Sequence, residues 1–199
     1  MTSPQGTPAQ ADAAGAVGTA SYWVVPVLRS GPAVIVGLII TFVADHSAKV
    51  GLVSFGTFAL VSGAIVAIAS ARTLTDRVTR GVFIAQGAIA AASGIAALTL
   101  WTGGVGVLLF IVTVFAALTG ALELYAGMRA KGTDPARDWF AVGALTAVSA
   151  IVFVLIPPDS VLATGLIGAY GLVLGVFLVI AGLSLKWATG KSAQEVVAK

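Results

Sequence analysis

The sequence predicts an all-α membrane protein: six transmembrane helices arranged as three tandem parallel helical-hairpin repeats in a pseudo-threefold bundle. Three observations predict it. The 199 residues are 58% hydrophobic and only 10% charged, with a mean hydropathy of +1.04, whereas soluble domains are roughly 45–50% apolar and about 25% charged. Six apolar stretches recur along the chain, each long enough to cross the roughly 30 Å of hydrocarbon that about 20 helical residues span. Small and aromatic residues repeat between those stretches at constant spacing.

The stretches fall at 22–44, 50–71, 81–101, 105–128, 139–156 and 161–185. Each is expected to be helical, because lipid offers backbone amides no partner outside their own segment. Residues 1–21 carry no Lys or Arg and are rich in Ala, Gly, Pro, Ser and Thr. Such a segment buries too little apolar surface to offset its ordering entropy, so a disordered cytoplasmic tail is expected there. The transmembrane domain covers 22–187, with repeats at 22–71, 81–128 and 139–185. Residues 188–199 form a cytoplasmic C-terminal tail.

The connections alternate in character. Asp45–Lys49, Thr102–Gly104 and Pro157–Ser160 are short, while Arg72–Arg80 and Arg129–Asp138 are longer and basic. Nine Lys and Arg residues (72, 77, 80, 129, 131, 137, 186, 191 and 199) fall on one side, and Lys49 alone falls on the other. Lys and Arg are retained in the cytoplasm, so both termini are placed there. Trp23, Trp101, Trp139 and Trp187 stand at predicted helix ends, where amphipathic rings favour the membrane interface.

The repeat is read from two independent alignments. Gly63, Gly120 and Gly175 mark the second helix of each hairpin; Gly37, Gly94 and Ser149 mark the first. Both sets are spaced by 57 and then 55 residues. Five residues before the first set stand the rings Phe58, Phe115 and Tyr170, and four before it stand Ala59, Ala116 and Gly171. Residues four apart share one helix face, so each second helix carries a stripe of small residues. In lipid such stripes let backbones approach and gain dispersion contacts. Gly63, Gly120, Gly171 and Gly175 are therefore the expected packing positions.

Polar residues within the spans are few. Arg29 in the first helix and Glu123 in the fourth lie at similar depth, about 9 Å from the basic face at 1.5 Å rise per residue. Gln86 is the repeat equivalent of Arg29. Charge inside a bilayer is costly and calls for pairing, so Arg29, Gln86 and Glu123 form a candidate intramembrane polar cluster. It serves either to fix helix order or to relay protons or ions. His46, the only histidine, lies in the first outer loop, where an ordinary value near 6.5 suits pH sensing.

Signatures of hydrolases, metalloenzymes and nucleotide-binding enzymes are missing. The chain has no Cys and no second His, which removes thiolate and His-Glu-x-x-His metal sites. No Gly-x-Ser-x-Gly elbow occurs. The sequence is therefore read as non-enzymatic, with no catalytic residue, no metal and no cofactor. A net charge of +3 gives no reason to expect nucleic acid. The partners it implies are the bilayer and, for a protein partner, a second copy or another membrane protein.

The segments Phe55–Ile65 (FGTFALVSGAI), Val114–Leu124 (VFAALTGALEL) and Gly168–Val176 (GAYGLVLGV) resemble the repeated second-helix motif of the HdeD-like acid-resistance membrane proteins. Arg29-Ser-Gly with Gly37 eight residues on, and Gly120-x-x-Glu123, are similar as well. The resemblance covers about residues 22–187. Ser62 departs from it, standing where an acidic residue is often found. The resemblance implies a bacterial plasma (inner) membrane protein with a role in acid or envelope stress, and it supplies no catalytic residue or ligand. The competing expectation is a small channel or transporter for protons, ions or a small solute, using Arg29, Gln86 and Glu123.

Overall fold

A computed structural model describes residues 23–197, so the tail expected at 1–21 lies outside the described residues. Six helices follow one another: α1 (Val24–Phe42), α2 (Ala48–Thr73), α3 (Arg77–Thr99), α4 (Gly104–Arg129), α5 (Asp134–Leu155) and α6 (Ser160–Val197). No strand occurs among the described residues. All six are long and apolar enough to cross a membrane.

The helices start where the sequence supplies caps. Ser47, Asp76 and Asp159 each accept a hydrogen bond from the backbone N–H three residues on, at 3.4, 2.9 and 2.8 Å. This satisfies amides that the first helical turn leaves orphaned. Capping also corrects the expected loop lengths. Asp76 starts α3 at Arg77 and Pro135 suits the opening turn of α5, so the basic connections shrink to residues 74–76 and 130–133. Much of the basic sequence is thus helical. Gly132, with φ +96°, makes the reversal between α4 and α5, a conformation other residues rarely adopt. The segment expected as a C-terminal tail continues α6 to Val197.

Two shells make up the bundle. Helices α2, α4 and α6 touch one another at the centre, and α1, α3 and α5 lie outside them. The closest partners are α2 with α3, α4 with α5, and α6 with α1. The short connections expected to close tight hairpins (α1–α2, α3–α4, α5–α6) therefore join helices that pack less closely.

Glycine explains the choice of partner. A methyl group at Gly63 would lie 2.8 Å from the carbonyl oxygen of Gly87, and one at Gly94 would lie 2.8 Å from that of Gly56. At Gly120 it would meet the Ala147 amide at 2.7 Å, at Gly171 the Ala33 carbonyl at 2.9 Å, and at Gly175 the Val34 amide at 3.0 Å. In each pair two backbones touch with nothing between them.

The outward surface is apolar. Ile35, Phe42, Phe110, Leu155 and Ile180 are all exposed, a belt that water would penalise and lipid accepts. Trp101 is exposed just past the end of α3, and Trp187 is exposed at the end of the membrane-spanning stretch of α6. Trp139 departs from the interfacial expectation: it is buried, its ring edge-to-face with Phe83 at 5.0 Å. The shortened loop draws the start of α5 into the bundle. At the two ends, Lys186 lies 4.9 Å over Trp23 and Lys49 lies 4.4 Å over Trp101.

Candidate functional site

The two charges expected deep within the spans meet. Arg29 Nη1 lies 2.8 Å from Glu123 Oε1, and the same oxygen accepts a 2.7 Å hydrogen bond from Gln86 Nε2. The structure therefore brings all three cluster residues together, from α1, α3 and α4. Glu123 is 1% exposed and Gln86 4%. Bulk water is excluded at this depth, and the pairing offsets a desolvation cost that either charge alone would carry. Gly143 lets α5 close against this stretch, since a methyl there would lie 2.5 Å from the Leu124 amide.

Two further polar groups lie nearby that sequence reasoning missed. Tyr170 Oη and Thr146 Oγ1 are 2.9 Å apart. Thr146 already gives its hydroxyl proton to the Val142 carbonyl at 2.8 Å, so Tyr170 is the donor to Thr146. One signal was present in the sequence: of the three ring positions Phe58, Phe115 and Tyr170, only the last carries a hydroxyl.

Three small cavities follow one another through the centre. A cavity of about 20 Å³ at the basic end is lined by Pro26, Asp138, Trp139 and Leu185 together with Arg29 and Glu123. A second of about 20 Å³, the middle chamber, is lined by Ser62, Gln86, Thr146 and Tyr170 and again by Arg29 and Glu123. The third, about 10 Å³, is lined almost wholly by apolar groups, among them Phe55, Val112, Phe153 and Ile167. The ion pair thus separates the first two cavities. Phe58, Phe115 and Tyr170 line both the second and the third, and separate those. Phe55, on the third cavity, packs edge-to-face against Phe115 of this ring collar at 5.2 Å. Polar lining extends from the basic end to the collar and stops there.

His46 is elsewhere. It sits part-exposed in the 43–47 connection at the opposite end, its Nδ1 3.4 Å from the Ala44 carbonyl oxygen. The neighbouring Asp45 carboxylate is taken up by the Ser47 amide and hydroxyl, at 2.9 and 3.1 Å. Among the described residues no group of three His, Cys, Asp or Glu side chains is placed to hold a metal ion.

At the basic end Asp76 caps α3 and approaches Arg129 at 3.8 Å. Its carboxyl is held below its ordinary value of 3.8, first by the Thr79 hydroxyl at 2.7 Å, then by the Thr79 amide, with a smaller contribution from Arg129. A depressed folded value means that the cap stabilises above the ordinary carboxylate range and loses its effect as pH falls through the folded value. Asp76→Ala is therefore expected to lower the melting temperature at neutral pH. The gap to the parent protein should close as the pH is taken below the ordinary carboxylate value, and a gap independent of pH would refute the ionised cap.

Compared with protein-family models, curated proteins and solved structures, the chain gives no significant match.

Proposed function

We propose that this multi-pass membrane protein is an HdeD-like, non-enzymatic component of acid or envelope stress tolerance in a bacterial plasma membrane. It is built from three tandem hairpins, with its basic end and both termini in the cytoplasm. The observation that carries the reading is the buried Arg29–Glu123–Gln86 cluster, faced by a water-sized cavity on the basic side and closed by aromatic rings on the other. Glu123 is then a carboxylate that cytoplasmic protons reach and outer ones do not. The groups facing it are Arg29, Gln86, Asp138 and Tyr170, one each from α1, α3, α5 and α6.

The triplication is supported by which residues share a cavity. Phe58, Phe115 and Tyr170, at equal register in the three second helices, line one chamber, and Phe55, Val112 and Ile167 line the next. Equivalent positions meet in this way when the repeats surround a common axis. Parallel repeats of this kind are related by an axis along the membrane normal.

The competing reading is a small channel or carrier for protons, ions or a small solute through Arg29, Gln86 and Glu123. The succession of cavities supports it, and the ring collar opposes it. Cells producing Glu123→Gln at parental membrane abundance are expected to lose acid tolerance, with no proton flux through the parent protein in liposomes under an imposed pH gradient. Parental survival of the Glu123→Gln strain would overturn the stress reading, and flux through the parent protein would favour the channel.

Orientation is tested separately. Reporter fusions after Arg77, Arg137 and Lys199 are expected to report cytoplasm, and a fusion within Asp45–Lys49 the outside. An outside signal at Arg77 or Arg137 would reverse the assignment.

A further inference from the structure

The middle chamber contains an imbalance that the ion pair does not account for. Gln86 commits its amide nitrogen to Glu123. A carboxylate accepts hydrogen bonds from that nitrogen and has no proton to give the amide oxygen, so the orientation of the Gln86 amide is fixed. Its oxygen is then left with no partner, although the residue is 96% buried. Ser62 Oγ is in the same position: 93% buried and without a partner. This is unusual for a helical hydroxyl. Thr119, its repeat equivalent, gives its proton to the Phe115 carbonyl at 2.7 Å, and Ser62 makes no such bond. Two buried unsatisfied groups in one place call for a ligand, since each costs about 1–3 kcal/mol if left bare.

Both line the chamber of about 20 Å³, and a single water needs roughly 10–15 Å³ measured this way. The Arg29–Glu123 pair is already neutralised, so the chamber offers no net charge to hold an ion. What it lacks is a donor for Gln86 Oε1 and an acceptor for the Ser62 hydroxyl. We infer that the chamber is a binding site for one ordered water, which donates to Gln86 Oε1 and accepts from Ser62 Oγ.

Its second proton has a receiver in Tyr170 Oη, whose own proton goes to Thr146. Three hydrogen bonds are typical of a buried structural water. The network then draws one polar side chain from every helix: Arg29, Ser62, Gln86, Glu123, Thr146 and Tyr170. The water is the piece that joins the Glu123 cluster to the Tyr170–Thr146 pair. The site stands on this geometry alone, whatever the protein does in acid.

X-ray radiolytic labelling read by mass spectrometry tests it in the folded protein in nanodiscs, because bound water generates hydroxyl radicals beside buried rings. Phe58 and Tyr170 line the chamber, whereas Phe153, buried to the same degree as Phe58, lines only the apolar cavity beyond the collar. Labelling of Phe58 and Tyr170 is expected to exceed that of Phe153 several-fold. In Ser62→Val, where the added methyl groups occupy the water's place, it should fall to the Phe153 level. Equal labelling of the three rings in the parent protein overturns the site, and this arm needs no variant to fold. Undiminished labelling in a Ser62→Val protein that elutes and melts like the parent also overturns it.

Discussion

Gly120→Leu and Gly175→Leu are each expected to abolish the folded bundle, whereas Leu at the adjacent Ala121 or Val176 leaves it intact. The difference lies in what each position faces. A single methyl at Gly120 would already sit 2.7 Å from a backbone nitrogen of α5, and one at Gly175 3.0 Å from a backbone nitrogen of α1. Backbone cannot rotate aside as a side chain does, so the helices must separate and forfeit the dispersion contacts along their shared face. Overpacking a core ordinarily costs about 1–3 kcal/mol, and contact with backbone puts these two variants above that range. Ala121 and Val176, about 100° around the helix, are exposed and accept a larger side chain toward lipid. Thermal stability in detergent is the measurement; similar melting of all four variants would falsify the packing assignment.

The same glycines show what sequence can and cannot convey about this fold. Six spans are legible because apolar runs of that length have no other stable place. The convergence of Arg29, Gln86 and Glu123 is legible because a common depth and a repeat offset leave few other ways to neutralise charge in lipid. The choice of partner for each small-residue stripe is not legible. Gly63 meets Gly87, and Gly120 meets Ala147, across connections that look too long for tight packing until Asp76 and Pro135 are seen to open helices within them. Trp139 reads as an interfacial ring for the same reason, and its burial follows from where α5 begins. Tyr170, Thr146 and Ser62 are each unremarkable in an apolar helix. Their meeting depends on the rotation of α2, α5 and α6 about their own axes, which a stripe of alanine and glycine constrains only once its partner is known.

The ion pair yields the remaining large effect. Arg29→Gln and Glu123→Gln are each expected to lower stability strongly, because each strands the opposite charge in the bundle. Stranding one member of a buried pair costs about 3–5 kcal/mol in soluble proteins; in a membrane the loss is smaller to the extent that snorkelling and water defects relieve it. The two variants should differ. Arg29 is 12% exposed at its side chain and its long stem can carry a lone guanidinium toward the basic end. Glu123, at 2%, is short, cannot reach the basic end, and once alone keeps only the Gln86 amide. Arg29→Gln, which leaves the short carboxylate stranded, is therefore expected to lose more stability than Glu123→Gln. The double variant strands nothing, since two neutral amides can share hydrogen bonds with Gln86, so its loss should fall well short of the sum of the singles. Melting temperatures of the four proteins measure both expectations. Additive losses would remove the pairing as a source of stability, and equal losses in the two single variants would remove the difference in reach between Arg29 and Glu123.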